Sequence, residues 1–199
     1  MLPLLLRSHA PVRVLVRRTV DLGADPRIEV ILVDFAALPA LPPVDDVFIG
    51  LGTTIKVAGS QAAFRSVDLD AVVATARAGL AAGATRLGVV SALGADATSK
   101  VFYNRVKGEM QEAVAGLGYA SVTLAQPSLL LGDRAALGQP TRPIESLAMR
   151  LSGSVMRLVP RGVRPIRAGD VAAALVAAVA EGRPGTQLLA SARMQGAAG

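Results

Sequence analysis

Short apolar segments alternate along this chain with longer alanine-rich segments, and this alternation limits the fold more than any other feature. The apolar segments indicate strands, and several are apolar throughout, as strands covered on both faces are: Val12–Val16, Ile28–Val33, Asp46–Gly50, Arg86–Ser91, Ser121–Ala125 and, more weakly, Gln187–Ala190. The segments between them favour helices because alanine is the strongest helix former: Gln61–Ala82, Val101–Leu117 and Asp170–Ala180. Alternating strands and helices predict an α/β fold, a doubly wound parallel sheet of the Rossmann-like type.

Glycines and prolines mark the ends of several of these elements. Gly83 and Gly118 stand where two helices should end, and Asp170 suits the N-cap of the last helix. Residues 140–165 are irregular, with prolines around a helix-compatible stretch at Ile144–Leu158. No repeat or linker divides the 199 residues, so we expect a single domain over residues 1–199.

The composition excludes several kinds of site. The chain has no cysteine, which excludes disulfides, thiolate metal sites and cysteine nucleophiles. Its one histidine, His9, excludes mechanisms that need two histidines and falls in a predicted loop. We expect no metal site. Because the chain has no tryptophan and only 3% aromatic residues, a base-stacking surface for nucleic acid is also disfavoured.

The excess of basic residues suggests a phosphorylated ligand. The net charge of +6 comes from 21 Lys+Arg against 15 Asp+Glu, and the charges are scattered without a long basic run. We therefore favour a phosphorylated cofactor over nucleic acid as the partner. No stretch of about 18 apolar residues lacks a charge, so a membrane span is disfavoured.

The first 18 residues allow two interpretations. They are rich in arginine and contain no acid, so an organellar transit peptide is one alternative. We favour a structural interpretation in which Leu2–Ser8 ends a helix, a turn follows and Val12–Val16 is a strand. On that interpretation the protein is expected to be cytoplasmic.

Ser91, Tyr103 and Lys107 form the most informative chemical pattern in the chain. Tyr103 and Lys107 are four positions apart at the start of a predicted helix and therefore share one helical face. An ammonium group beside a phenol lowers the pKa of the phenol, which can then exchange a proton with a carbonyl oxygen. Ser91 ends a strand 12 positions earlier and offers a hydroxyl to the same oxygen. The alternative is a pair of exposed helix residues with no catalytic role.

Several motifs resemble the short-chain dehydrogenase/reductase superfamily. They are Gly50-Leu-Gly-Thr-Thr-Ile-Lys56, Ala58-Gly-Ser-Gln-Ala-Ala-Phe64, Val90-Ser-Ala-Leu-Gly-Ala-Asp96, Phe102-Tyr-Asn-Arg-Val-Lys-Gly-Glu109 and Gln126-Pro-Ser-Leu-Leu-Leu-Gly132. Taken in their order along the chain, these motifs are similar to those of the atypical group that contains the Tat-interacting oxidoreductase of animals and its bacterial relatives. The resemblance covers most of the chain from Val12 to Val179.

The resemblance implies roles for the matching residues. Tyr103 would be the general acid/base, Lys107 would bind the nicotinamide ribose and tune Tyr103, and Ser91 would orient a substrate carbonyl. The resemblance also implies a small-molecule substrate, whose identity is unknown. A homodimer is expected from the family resemblance alone. Further residues would lie along the cofactor: Asp34, Gly50, Leu51, Gly52, Thr53, Pro127 and Ser128.

Arg17 and Arg18 bear on the choice of cofactor. They end the strand Val12–Val16, where a NAD-specific Rossmann site commonly has an acid for the ribose 2′-hydroxyl. Guanidinium groups suit a 2′-phosphate instead, which favours NADP(H) over NAD(H). The alternative is a solvated pair of arginines at a strand end.

Two features depart from the family pattern. No glycine fingerprint follows a first strand, and Leu2–Ser8 matches the later part of the first helix. We therefore expect an N-terminally truncated Rossmann fold that lacks about 20 residues and has a gap in the sheet beside Val12–Val16. Gln126 stands where the family often has an arginine, so an anchoring charge is expected to be lost. Asp68 and Asp70 are expected near a helix start, where they would stabilise its dipole. The alternative for Asp68 is a position near the ribose end of the cofactor.

Three hypotheses for function remain open on the sequence. The first is an NADP(H)-dependent oxidoreductase, active if the missing segment is restored. The second is a non-catalytic dinucleotide-binding module with a regulatory or interaction role, which the absent glycine fingerprint favours. The third is an unstable truncated product without a function of its own.

Overall fold

The strands of this computed structural model pair in parallel. The structure describes residues 1–9, 11–131 and 160–198, and every strand pairing within them is parallel. The strands are Val12–Val16 (β1), Ile28–Leu32 (β2), Asp46–Ile49 (β3), Arg86–Val90 (β4), Ser121–Gln126 (β5), Leu130–Leu131 (β6), Ile166–Arg167 (β7) and Gly185–Ala190 (β8). The main sheet has the order β3-β4-β5-β8, and β6 pairs with β7. The predicted parallel sheet is confirmed.

Helices follow most of these strands. They are Leu2–Leu5 (α1), Ile55–Ala58 (α2), Gln61–Arg65 (α3), Ala71–Ala81 (α4), Phe102–Ala115 (α5), Ala168–Glu181 (α6) and Ser191–Met194 (α7). Gly83 and Gly118 have φ angles of +96° and +95°, and each lies just past a helix, as the sequence predicted. Only glycine adopts this left-handed conformation at little cost, which is why it ends helices well.

The helices pack on both faces of the main sheet. On one face, α4 and α5 bury Val72, Val106 and Met110 against strand residues. On the other face, α6 lies so close to β4 that a Cβ on Gly88 would come within 2.7 Å of Val179 Cγ2. A doubly wound Rossmann-like sheet has this arrangement.

Strands β1 and β2 form a separate two-stranded sheet. Within the described residues, no backbone ladder joins β1 to β3, which agrees with the gap expected beside Val12–Val16. The two sheets are tied at the amino ends of these strands. His9 Nε2 lies 2.9 Å from Asp46 Oδ2, and Arg13 donates a 3.0 Å hydrogen bond to the Pro43 carbonyl.

Three details differ from the sequence-based expectations or escape them. The predicted helix Gln61–Ala82 is divided by a π-helical turn at Ser66–Asp70. The N-cap of α6 is Arg167 and not Asp170. The Asp170 carboxylate instead accepts a hydrogen bond from the Ala198 amide. The predicted helix Ile144–Leu158 lies outside the described residues.

Candidate functional site

The predicted site residues follow the carboxyl ends of the strands. Parallel strands bring these ends to one edge of a sheet, which is where α/β folds bind ligands. Backbone hydrogen bonds fix the segments after β4 and β5 side by side. The Ser91 amide donates to the Ala125 carbonyl at 2.7 Å, and the Leu93 amide donates to the Pro127 carbonyl at 2.8 Å. Ser91 therefore lies next to the turn that contains Pro127.

Ser91 is held by a side chain that sequence reasoning missed. The Gln111 Nε2 donates a 2.7 Å hydrogen bond to Ser91 Oγ, and both residues are buried. Gln126 Nε2 in turn donates to Gln111 Oε1 at 3.2 Å. Gln126 was expected to mark a lost anchoring charge, and in the structure it instead completes a neutral amide chain. The available signal was spacing, because Gln111 follows Lys107 by four positions and so shares its helical face.

Tyr103 and Lys107 occupy the first two turns of α5. The Tyr103 ring packs against Phe64, with ring centroids 5.5 Å apart, and is partly buried. Lys107, one turn later, is buried and continues the same face. Tyr103, Lys107 and Gln111 therefore form one row along the helix, and the row ends at Ser91.

The Lys107 ammonium is paired with a carboxylate. Its Nζ lies 2.7 Å from Asp68 Oδ1, and both side chains are at most 5% exposed. The other oxygen of Asp68 accepts a 2.8 Å hydrogen bond from the Thr53 amide. Asp68 was expected near a helix start, but it lies inside the π-helical turn, between α3 and α4. It joins the segment after β3 to the face of α5 that carries Tyr103 and Lys107.

The segment Gly50–Thr53 follows β3 directly. Gly50 and Gly52 are exposed, and a Cβ built on Gly50 would meet no atom within 4 Å. A Cβ on Gly52 would lie 3.3 Å from Asp68 Oδ1. Leu51 is partly buried and packs against the main core.

The remaining predicted cofactor residues divide into two groups. Arg17, Arg18 and Asp34 are exposed after the ends of β1 and β2, and Asp34 accepts a 2.9 Å hydrogen bond from the Ala36 amide. Ser128 is turned towards α7, where its hydroxyl donates to the Arg164 carbonyl and accepts from Ser191. Its side chain is thus engaged within the protein.

Other polar clusters in the described residues lie elsewhere. His9 contacts Asp46 at the amino ends of the strands, and Arg86 also binds Asp46, so His9 serves as a structural link away from Tyr103. An open cleft of about 240 Å³ between α6, α7 and β8 contains Arg183 and Arg193 but none of the predicted site residues. No cluster of three or more potential metal-binding residues occurs in the part of the chain that the structure describes.

Sequence comparison identifies relatives among curated proteins. The chain is 37% identical over 128 residues to HTATIP2 of Rattus norvegicus, an alignment that covers 62% of this chain and 51% of the relative. It is 34% identical over 119 residues to the mitochondrial protein fmp52 of Emericella nidulans, covering 59% of this chain and 49% of that protein. The chain is a homologue of HTATIP2 and FMP52. It spans about half the length of these relatives. No family model matches the chain.

Solved structures of the same fold contain a nicotinamide dinucleotide. MoeE5 in complex with UDP-glucose and NAD superimposes with a TM-score of 0.68 at 18% identity, over 94% of this chain and 70% of that one. The Bordetella bronchiseptica enzyme WbmG in complex with NAD gives a TM-score of 0.64 at 17% identity, over 96% of this chain and 68% of that one. These similarities establish the Rossmann-like fold.

The comparisons overturn one expectation, the cellular location. The FMP52 relatives from Emericella nidulans, Aspergillus niger and Coccidioides immitis are named as mitochondrial proteins. The prediction of a cytoplasmic protein is therefore wrong. It rested on favouring a structural role for the arginine-rich segment Met1–Arg18 over a targeting role. Among the described residues, no helix is long and apolar enough to cross a membrane.

Proposed function

We propose that this chain carries the catalytic residues of an NADP(H)-dependent oxidoreductase that transfers hydride to or from a carbonyl or alcohol of a small molecule. The observation that carries the proposal is the row of Tyr103, Lys107 and Gln111 on α5, which ends at the buried hydroxyl of Ser91. A phenol, an ammonium and a hydroxyl so arranged are the groups needed to move a proton at a carbonyl oxygen. The NAD complexes of the structural neighbours support the binding of a nicotinamide dinucleotide.

The residues present are compatible with a dinucleotide at this edge of the sheet. The backbone after β3 is open, because Gly50 and Gly52 are exposed and Gly50 has free space where a side chain would begin. A nicotinamide bound there would supply the hydride donor or acceptor. Tyr103 would give a proton to the substrate oxygen or take one from it. Ser91 would donate a hydrogen bond to that oxygen.

Arg17 and Arg18 support the preference for NADP(H). Both side chains are exposed at the carboxyl end of β1, the position from which a Rossmann site reads the ribose 2′ substituent. Their two positive charges favour a phosphate there over a hydroxyl.

A second candidate function is a dinucleotide-binding module without catalysis. The observation that favours it is the ion pair between Lys107 and Asp68, since a paired ammonium stabilises a phenolate less than an unpaired one does.

Two measurements separate these functions. Calorimetry with NADPH and NADH tests cofactor binding, and NADPH oxidation with a panel of aldehydes, ketones and quinones tests turnover. We expect Tyr103→Phe to lower turnover by about 10²–10⁴-fold with unchanged NADPH affinity. Tyr119→Phe is the control, because it removes the chain's other phenolic hydroxyl, which is bonded to the Ala76 carbonyl away from the site. NADPH binding without turnover of any carbonyl compound would favour the binding module.

A further inference from the structure

The pair formed by Asp68 and Lys107 is the most completely buried charged contact among the described residues. The side chains are 1% and 5% exposed, whereas in each of the other ion pairs in this part of the chain at least one partner is 25% exposed or more. Burying two charges costs several kcal/mol per ion before their attraction is counted, so such pairs are poor devices for stability alone. The position of this pair, one helical turn from Tyr103, suggests another role.

The carboxylate of Asp68 is fixed from two sides. Its Oδ2 accepts the hydrogen bond from the Thr53 amide at 2.8 Å, and its Oδ1 faces the Lys107 ammonium at 2.7 Å with no neutral donor in reach among the described residues. The π-helical turn Ser66–Asp70 contains the residue, and such turns are frequent at functional sites. The Lys107 ammonium therefore has a defined position.

We infer that Asp68 is a positioning residue, which holds the Lys107 ammonium beside Tyr103 and partly neutralises it, and which joins it to the cofactor-facing segment at Thr53. The inference rests on the proposed function, because it gives Lys107 its influence on the Tyr103 phenol. It adds a residue that neither the motif Tyr103-x-x-x-Lys107 nor its spacing contains. Removing the negative charge of Asp68 leaves more of the Lys107 charge acting on the phenol.

Among the described residues, the other charges on and near α5 are engaged elsewhere or exposed. On α5, Arg105 stacks over Phe102 and donates to the Ser99 carbonyl, and Glu109 is paired with Arg65 of α3. Asp70, in the same turn as Asp68, is exposed. In the part of the chain that the structure describes, Asp68 and Lys107 are thus the buried charges on the elements packed around Tyr103.

The ultraviolet absorbance of tyrosinate tests the inference directly. The chain has two tyrosines and no tryptophan, so few groups contribute to the signal. Burial raises the pKa of Tyr119 to about 12. Tyr103→Phe identifies the titration step that belongs to Tyr103. Because neither cofactor nor substrate is added, the result does not depend on whether the protein turns over any carbonyl compound.

Asp68→Asn is the decisive variant and Asp70→Asn its matched control. We expect Asp68→Asn to move the Tyr103 titration midpoint down by about one pH unit or more, and Asp70→Asn to leave it in place. Equal midpoints in wild type and Asp68→Asn would overturn the inference. So would an equal downward shift in both variants, since this would show a general loss of surface charge.

A second measurement uses the wild-type chain, in case Asp68→Asn does not fold. The chain has three lysines, of which Lys56 and Lys100 are exposed. In NMR spectra of protein labelled with ¹⁵N-lysine, a held ammonium exchanges its protons slowly and gives a signal near neutral pH. We expect one such signal, lost in Lys107→Met and kept in Lys56→Met. Absence of any protected ammonium signal would show that the pair does not form, and the inference would be wrong.

A loss of turnover and a loss of the pair are distinguishable outcomes. If the Tyr103 midpoint depends on Asp68 but no carbonyl substrate is reduced, the inference about charge stands and the proposed enzyme activity fails. If turnover depends on Tyr103 but the Tyr103 titration midpoint is the same in wild type and Asp68→Asn, the proposed function stands and the positioning role fails.

Discussion

The amide of Gln111 donates its hydrogen bond to the oxygen of Ser91, at 2.7 Å, and this contact determines the direction in which Ser91 can donate. A hydroxyl has one hydrogen and two lone pairs. Because Gln126 donates to the Gln111 oxygen, the Gln111 amide presents its NH₂ group to Ser91. The Ser91 hydrogen is then left for another acceptor, and a substrate carbonyl is the acceptor that the proposed reaction needs.

Gln111→Leu removes this donor at nearly constant side-chain volume. We expect turnover with NADPH and the best carbonyl substrate to fall by about tenfold, the equivalent of one hydrogen bond of about 1.4 kcal/mol. NADPH affinity should be unchanged, because Ser91 is assigned to the substrate. Gln61→Leu, at an exposed position on α3, is the control. A Gln111→Leu protein with wild-type kcat/KM would show that Ser91 needs no orientation.

The strands and helices were predictable because apolar strand segments and alanine-rich helical segments are visible in local composition. The predicted strand at Val12–Val16 has the observed bounds, and the bounds of the other five predicted strands differ by a residue or two. The short strands β6 and β7 were not predicted. Ser91, Tyr103 and Lys107 were identified because strand ends and helical spacing are also local properties. The prediction of their catalytic roles is still to be tested.

The contact of Asp68 with Lys107 and that of Gln111 with Ser91 were not predicted because they are tertiary. Gln111 contacts Ser91, which lies 20 positions earlier in the chain. Asp68 contacts Thr53, which lies 15 positions earlier, and Lys107, which lies later in the chain. The π-helical turn around Asp68 has no periodic signature that distinguishes it from the α-helix on either side. Such contacts become visible only when the sheet brings the segments together.

Arg17→Ala combined with Arg18→Ala should reverse the cofactor preference. Removing both guanidinium groups takes away the partners of a 2′-phosphate, so we expect NADPH affinity to fall by about tenfold or more while NADH affinity stays the same. The NADPH affinity of the wild type should also fall with added salt, since both arginines are exposed. Calorimetric titration with each dinucleotide gives both constants.

Arg77→Ala is the control for this pair, because Arg77 is exposed on α4. An equal loss of affinity for NADPH and NADH in the double variant would mean that the arginines do not read the 2′ position.

Gly108→Ala should destabilise the fold strongly. A Cβ at Gly108 would lie 2.0 Å from the Ala97 amide nitrogen and 2.2 Å from the Asp96 carbonyl carbon, so α5 cannot keep its place against this loop. We expect a loss of about 3 kcal/mol in the free energy of unfolding, at the upper end of overpacking costs. Urea denaturation at constant m-value measures it.

Gly116→Ala gives the matched comparison at the end of the same helix. Its Cβ would meet only ordinary contacts, 3.5 Å from the Glu112 carbonyl oxygen, and the φ angle of −81° suits any residue. We expect no loss of stability, and a gain of up to about 1 kcal/mol from reduced entropy of the unfolded chain. Similar midpoints for the two alanine variants would contradict the close approach at Gly108.

Tyr119 should make the protein sensitive to alkali. The residue is 7% exposed, its hydroxyl donates to the Ala76 carbonyl at 2.6 Å, and burial raises its pKa from 10.0 to about 12. Below pH 10 the phenol is neutral in both states and its contribution is fully present. As the pH rises from 10 to about 12, the unfolded chain loses this proton first and stability falls, by about 3 kcal/mol in total.

Tyr119→Phe removes this part of the pH dependence while costing about 1 kcal/mol at neutral pH, because the Ala76 carbonyl loses its donor. We therefore expect the stability curves of wild type and variant, measured by urea denaturation, to converge between pH 10 and 12 and then to cross. Tyr103→Phe keeps the Tyr119 phenol, so this variant should still lose stability between pH 10 and 12. Parallel curves for wild type and Tyr119→Phe would show that the Tyr119 phenol ionises as easily in the folded protein as in the unfolded chain.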